Sequence, residues 1–204
     1  CGRAARTLAR LWQDAGSVTI GDVLTTSPDS SREACAFIGA GTPVAALADL
    51  RPAALWLFGV PDRDIASVGQ ALADSGLVRT GDGVFHLSGF TSSEALAPLR
   101  DAGARIASVH PVMSFADPAI AVTRFAGTPC GIEGEATLAA ELGTLFAAIC
   151  GACFALDGAM KPLYHAGSVF ASNFLVVILD VARKAYVDAG VPPEMADRMF
   201  AAIS

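Results

Sequence analysis

The chain has 204 residues, of which 53% are hydrophobic and only 17% are charged, a composition that excludes a disordered protein. Its net charge is −6 and no Lys/Arg cluster occurs, which argues against a nucleic-acid-binding surface. No apolar run reaches the roughly 18–20 charge-free residues that a membrane span needs. The longest runs, 142–156 and 166–179, are interpreted as buried helices, so no membrane partner is expected.

Five cysteines, an odd number in a chain of ordinary size, do not indicate a disulfide framework and favour a reducing cytoplasm. Cys150 and Cys153 form a Cys-x-x-Cys inside an apolar stretch, where small thiols pack well. We therefore predict packing for this pair. A redox pair would need an exposed helix start, and zinc would need a second pair of ligands.

The first 134 residues alternate between short apolar runs and helical patterns. In chain order the patterns predict a helix over 3–15, a strand over 17–25, a helix over 30–37, a strand near 44–47, a strand over 53–60, a helix over 62–74 capped by Asp62, a strand over 84–87, a helix over 92–101 and strands over 105–109 and 128–133. Apolar strands separated by helices indicate a parallel sheet covered on both faces. The predicted fold class is therefore α/β, a Rossmann-like doubly wound sheet over residues 1–134, followed by an all-α domain.

After residue 134 we expect no further strands. Helical patterns cover 135–149, 160–189 and 194–203, and they define a predicted helical domain over 135–204 for substrate binding and dimerisation. A helix of about 30 residues is about 45 Å long. Its centre is apolar nearly all round, so it needs cover on every side. A second copy of the chain is the expected source of that cover, which predicts a homodimer.

The chain opens with a partial dinucleotide fingerprint. Gly2 and Ala5, with Arg3 and Ala4 between them, fit the second and third small positions of G-x-G-x-x-G/A at the start of a helix. The first glycine and the strand before it are expected upstream of Cys1. Half a fingerprint also fits an ordinary helix start that contains a small residue.

The residues after the second predicted strand favour NADP over NAD. An NAD enzyme places an acid there for the ribose, whereas this chain has Thr26, Ser27 and Arg32, which suit a 2′-phosphate. Asp29 in the same segment keeps NAD open. A Ser/Pro turn that caps a helix would explain the same residues.

Several phrases in the chain resemble a known family. They are Val-Pro-Asp-Arg-Asp-Ile at 60–65, His-Leu-Ser-Gly at 86–89, Glu-Ala-Leu-Ala-Pro-Leu at 94–99, Val-His-Pro-Val-Met-Ser-Phe-Ala-Asp at 109–117, Ile-Glu-Gly at 132–134 and Lys-Pro-Leu-Tyr-His-Ala-Gly-Ser-Val-Phe-Ala-Ser-Asn at 161–173. In this order they look like the Rossmann-like NADP oxidoreductase family, whose C-terminal helical domain has no known function. The layout is more distantly similar to pyrroline-5-carboxylate reductase, the β-hydroxyacid dehydrogenases and the deazaflavin-dependent NADP reductases.

The resemblance implies a Rossmann domain followed by a helical dimerisation domain, and it implies no substrate. The chain departs from the family by lacking the first fingerprint glycine and by stopping where relatives continue with further helix. We expect both departures to be missing ends rather than altered chemistry.

Polar or turn residues follow three predicted strands, and ligands of open α/β sheets bind at that edge. The turns are Val60-Pro61-Asp62, Ser88-Gly89 and His110-Pro111. We predict that Val60, Pro61 and Ser88 contact the cofactor and that His110 donates a proton, since imidazole titrates near neutrality. His110 could instead shape its turn, and a structural role is favoured for His86.

The long helix carries the second group of candidate residues. At 100° per residue, Lys161, His165, Ser168 and Ser172 share one face, with Tyr164 beside it. Asn173 lies one row over. In the resembled β-hydroxyacid dehydrogenases, a lysine and an asparagine on the corresponding helix serve the carbonyl, which implies loosely similar roles for Lys161 and Asn173. We predict Lys161 or His165 as the proton donor, with Ser172 and Asn173 as positioning groups. A polar seam that holds the dimer together is the alternative.

Together these features predict hydride transfer between NADPH and a small carbonyl or imine, with no metal. An NADP-binding sensor without a hydride acceptor is the main alternative. A non-redox enzyme that has kept only the fold is the third, because fold does not fix function.

Overall fold

The computed structural model describes residues 1–203, and the side chains of residues 1–199. The strands are β1 (Asp22–Leu24), β2 (Thr42–Val44), β3 (Leu55–Phe58), β4 (Gly83–His86), β5 (Arg105–Pro111), β6 (Pro129–Gly134) and β7 (Ala152–Ala155). The α-helices are α1 (Arg3–Asp14), α2 (Pro28–Ile38), α3 (Ile65–Asp74), α4 (Ala97–Asp101), α5 (Pro118–Arg124), α6 (Ala136–Ala147), α7 (Lys161–Val169), α8 (Leu175–Asp188) and α9 (Pro193–Ile203). Each helix predicted from the sequence is present, and α5 is additional.

The main sheet has the order β3-β4-β5-β6-β7, and β1 pairs with β2 in a separate parallel sheet. Strands β3, β4 and β5 are parallel, as the pattern of apolar runs predicts. Strand β6 is antiparallel to β5, with His110 opposite Gly131, so the prediction of a wholly parallel sheet is wrong at this point. The reason is that the connection after Pro111 carries only the short α5, and the chain enters β6 beside the end where β5 stops.

Strand β7 contradicts the prediction that strands end at residue 134. It pairs with β6 in parallel, with Cys130 opposite Cys153. Helix α6 ends at Ala147 and the chain turns through Cys150, which has a φ of 62°. Cys150 and Cys153 are therefore exposed in the single chain, and the prediction that both pack inside an apolar helix is wrong.

Helices cover both faces of the main sheet. On one face, Trp12 of α1 packs edge-on against Phe146 of α6 and Phe85 of β4, and its Nε1 donates to the carbonyl oxygen of Leu145 at 3.0 Å. On the other face, the buried Ile65 of α3 packs into a second core cluster. Helix α1 is thus fixed over the sheet, which sets the position of its N-terminus.

The chain divides into two compact units, Cys1–Pro162 and the residues from Leu163 onward. The predicted boundary at 134/135 falls inside the first unit, between β6 and α6. In the second unit, α7 continues through a π-helical segment, Phe170–Phe174, into α8. Arg183 of α8 donates from Nε to Asp197 of α9 at 2.6 Å.

Helix residues Gly158–Asp188 are long and apolar enough to cross a membrane by length and composition, and none of the apolar window is buried within the single chain. The sequence pattern predicted a buried helix over 166–179, within this helix, and that prediction is wrong for the single chain. Val176 and Ile178 are 66% and 62% exposed. The single chain therefore does not supply the cover that this apolar surface needs.

Candidate functional site

Small residues let the N-terminus of α1 approach the end of β3. The backbone N–H of Gly2 donates to the carbonyl oxygen of Gly59 at 2.7 Å. A Cβ on Gly2 would lie 2.9 Å from that oxygen, and a Cβ on Gly59 would lie 2.3 Å from the Cβ of Ala5. Arg3 opens the helix, and its first turn carries no acid. A helix start of this kind, lined by backbone N–H groups and free of carboxylates, fits a pyrophosphate.

The turn between β1 and α2 is held by hydroxyl groups. Ser27 caps α2, its Oγ accepting from the N–H of Ser30 at 3.2 Å, and the N–H of Thr25 donates to Ser31 Oγ at 3.1 Å. Thr26 is exposed beside them. Arg32 is not directed into this turn but forms an ion pair with Asp29 on the same helix.

Arg6, which the sequence analysis missed, reaches the same turn from α1. Its Nη2 donates to Ser30 Oγ at 2.8 Å. The signal in the sequence was its position directly after the last small residue of the fingerprint.

Asp62 and Ser88 join the ends of β3 and β4. The hydroxyl of Ser88 donates to Asp62 Oδ2 at 2.6 Å and accepts from the N–H groups of Phe90 and Thr91 at 3.1 and 2.8 Å. The sequence analysis predicted that Asp62 caps a helix over 62–74, and this prediction is wrong. The carboxylate of Asp62 turns to Ser88, and a 3-10 turn, Asp62–Asp64, precedes α3. Val60 and Pro61 lead from β3 into this contact.

The ring of His110 lies against the turn after β4. A Cβ on Gly89 would lie 2.7 Å from His110 Cε1, so only glycine allows this approach. His110 stands near the end of β5, and the three strand ends singled out in the sequence are thus neighbours. Asp62, Ser88 and His110 form one polar group at the carboxyl edge of the parallel strands.

His86 is the last residue of β4, two residues before Ser88, and it is fully buried. Its Nδ1 accepts from the N–H of Ser88 at 3.2 Å, and its Nε2 donates to the carbonyl oxygen of Ser92 at 3.1 Å. Burial lowers the pKa of this imidazole to about 4. A neutral ring held by two backbone groups shapes the turn that carries Ser88.

Lys161 lies at the centre of a buried polar cluster. Its Nζ donates to the carbonyl oxygen of Ser88 at 2.8 Å, to the hydroxyl of Ser108, and to Glu133 Oε1 at 3.5 Å. Glu133 also accepts from the N–H and the hydroxyl of Ser93, both at 2.7 Å. Burial lowers the pKa of Lys161, and the charge of Glu133 opposes that shift. Because an ammonium has three protons, these three acceptors use all of them.

The other helix candidates belong to the second unit. His165 and Ser168 lie in α7 and are partly exposed, whereas Ser172 and Asn173 lie in the π-helical segment and are exposed. Ser172 Oγ donates to the carbonyl oxygen of Ser168 at 2.6 Å. The π-turn ends the uniform rotation of 100° per residue on which the predicted common face depended. Within the described residues, no group of three His, Cys, Asp or Glu side chains is arranged to hold a metal ion.

The fold and the carboxyl-edge site place the chain among Rossmann-fold proteins. A model of the Rossmann-like domain family matches residues 1–111, more than half of the chain, and the chain belongs to that family. A model described as a domain of unknown function, DUF2520, matches residues 128–203. The resemblance stated from the sequence is confirmed.

Two solved structures show the same fold over nearly the whole chain. A Thermotoga maritima protein is 28% identical, with a TM-score of 0.72, and the match covers 95% of this chain and 72% of that one. A proposed NADP oxidoreductase from Bacteroides fragilis is 19% identical, with a TM-score of 0.74 and coverage of 97% and 73%.

A third structure is named as an enzyme. A pyrroline-5-carboxylate reductase from Coxiella burnetii is 15% identical, with a TM-score of 0.68 and coverage of 97% and 72%. At this identity the likeness concerns the fold alone. No curated protein matches the chain.

Proposed function

We propose that the chain is an NADP-dependent oxidoreductase that transfers hydride to or from a small carbonyl or imine compound. One observation carries the proposal. The small-residue start of α1 against Gly59 and the polar group of Asp62, Ser88 and His110 lie at neighbouring strand ends of one Rossmann sheet. Ligands of open α/β sheets bind at this edge, with pyrophosphate at the helix start.

The residues divide into binding and proton-handling groups. Arg3, Ala4 and Ala5 would hold the pyrophosphate through backbone N–H groups, and Gly2, whose own N–H donates to Gly59, would let the cofactor approach the helix start. Thr26 and Ser27 would contact the ribose. Val60, Pro61 and Ser88 would line the nicotinamide end. The cofactor supplies the hydride, whereas the protein orients the substrate and moves the proton.

We assign proton transfer to His110, which lies in the same compact unit as the residues proposed to bind the cofactor. The roles expected for His165 and Asn173 stay predictions. The three protons of Lys161 already have acceptors in the protein. Lys161 therefore acts as a positioning residue, which fixes the Ser88 carbonyl and the end of β5 rather than donating to substrate.

The test measures binding and turnover separately. NADPH binding is followed by fluorescence, and NADPH oxidation is followed with a panel of small ketones, keto acids and cyclic imines. His110→Gln is expected to lower the rate about 100-fold or more while the affinity for NADPH changes little. Binding without oxidation of any substrate would favour the sensor function, and no binding would contradict both.

We also propose that the protein is a cytoplasmic homodimer in which a second copy covers the apolar helix. The support is the set of exposed apolar side chains distributed around one helix, which a monomer would leave in water. The set comprises Leu163, Phe170, Phe174, Leu175, Val176, Val177, Ile178 and Val181.

A further inference from the structure

We infer that Arg6 is the residue that selects NADP over NAD by binding the 2′-phosphate, an inference that rests on the proposed nicotinamide cofactor. Arg6 belongs to α1, directly after Ala5. Its guanidinium reaches α2, where Nη2 donates to Ser30 Oγ at 2.8 Å and to the Ser30 carbonyl oxygen at 3.3 Å. The cation therefore stands beside the turn that follows β1, where the adenosine ribose of a Rossmann cofactor lies.

The charge of Arg6 has no anionic partner. In the part of the chain that the structure describes, no ion pair includes Arg6, and its buried Nε has no hydrogen-bond partner. A hydroxyl is a weak acceptor for a guanidinium compared with a phosphate, which offers charge-assisted and often bidentate bonds. A phosphomonoester, which carries between one and two negative charges at neutral pH, would satisfy this cation.

Arg32, the cation that the sequence suggested for this role, is engaged elsewhere. It forms an ion pair with Asp29, and its side chain is 62% exposed. Asp29, the carboxylate that would suit the 2′-hydroxyl of NAD, is 82% exposed in the same pair. Both side chains of this pair lie in solvent, whereas Arg6 is partly buried against the turn, so we assign the selection to Arg6.

The turn offers hydroxyl groups beside the guanidinium. Ser30 is held on both sides, because its N–H donates to Ser27 Oγ at 3.2 Å and its own hydroxyl accepts from Arg6. Thr26 is exposed at the same turn. Arg6, Thr26 and Ser27 together form the proposed 2′-phosphate subsite.

The experiment compares NADPH with NADH, and 2′,5′-ADP with 5′-ADP, by titration of the whole chain. Arg6→Met is expected to weaken NADPH and 2′,5′-ADP binding about 10- to 100-fold and to leave NADH and 5′-ADP within about 3-fold. Arg6→Lys keeps the charge without the planar fork and is expected to give an intermediate preference. Arg32→Met is the matched control and is expected to leave the NADPH/NADH ratio within about 3-fold.

Retained NADH affinity shows that each variant is folded, so a loss confined to the 2′-phosphate compounds supports the inference. An unchanged NADPH/NADH ratio in Arg6→Met would overturn it, and so would a loss of preference in Arg32→Met alone. If Arg6→Met does not fold, an unchanged ratio in Arg6→Lys overturns it. A wild-type chain that binds neither NADPH nor NADH would refute the proposed function itself.

Discussion

Lys161 illustrates why a residue's chemistry and its accessibility must be judged separately. Only two of the fourteen basic residues are lysines, and the two have opposite environments. The side chain of Lys161 is 1% exposed and pairs with Glu133, whose side chain is 6% exposed. Lys184 is 70% exposed and pairs with Asp180 one helical turn away. The chain therefore contains its own matched control for the energetics of a buried ion pair.

Replacing Lys161 by Met is expected to lower the free energy of unfolding by about 3 kcal/mol, because it leaves the Glu133 carboxylate buried without its cation. Lys184→Met removes only a solvated pair and is expected to change the free energy by about 0.5 kcal/mol or less. Urea unfolding at one fixed protein concentration measures both.

The double variant Lys161→Met/Glu133→Gln completes the cycle. The decrease in its free energy of unfolding should be smaller than the sum of the decreases in the two single variants, because no unpaired charge remains. Equal losses for Lys161→Met and Lys184→Met would contradict the importance of burial at this site.

The buried His86 links stability to pH. Its pKa of about 4 in the folded protein lies below the ordinary value of 6.5, so the unfolded chain binds more protons between these two values. The free energy of unfolding should therefore rise as pH increases from 4 to 6.5, by about 3 kcal/mol from this group, and fall as the pH is lowered.

His86→Gln should remove this slope. The pKa values of Asp22 and Glu94 are lowered by arginine partners, and these groups remain in both proteins. The difference between wild type and variant, measured by urea unfolding from pH 4 to 8, therefore isolates His86. A wild-type slope that persists in the variant would assign the pH dependence to the carboxylates.

At the scale of the elements, the sequence predicts the order of helices and strands better than their directions. The strands β3, β4 and β5 have short apolar runs with clear turn signals, so pattern alone identifies them. The direction of β6 depends on how its connection folds, which a local pattern does not contain. Strand β7 has the sequence Ala-Cys-Phe-Ala, which is short and unalternating and follows an apolar helix, so it could not be separated from that helix.

The residues of the candidate site also divide into those that the sequence predicts and those that it does not. Gly2 and Ala5 are predictable, because close approach of a helix to a strand requires small residues whatever the partner is. Arg6 and the Ser88 contact of Asp62 are not, because a long or rotatable side chain can reach several neighbours. The π-helical segment likewise changes the face on which Asn173 lies, and the sequence shows no proline or glycine pair within Phe170–Phe174 that would reveal it.

At the scale of the whole molecule, the uncovered helix 161–188 is the strongest constraint on assembly. Its exposed Val177 and Val181 lie one turn apart, with 58% and 60% of their surface accessible in the single chain. A second copy or a lipid bilayer would each bury such a surface. The net charge of −6, the pair of Lys184 with Asp180 on this helix and the pair of Arg183 with Asp197 of α9 favour a protein partner.

The double variant Val177→Glu/Val181→Glu should therefore convert the protein from a dimer to a monomer of 20.8 kDa, measured by light scattering after gel filtration. Two carboxylates placed in an apolar interface would have no partners, and burying each would cost several kcal/mol. Lys184→Gln on the same helix should leave the dimer intact, because that side chain is 70% exposed and its surface pair contributes little. Flotation with neutral phosphatidylcholine vesicles tests the alternative. If the wild-type chain is monomeric and floats with the vesicles, and the double variant does not float, the helix binds a membrane instead of a second copy.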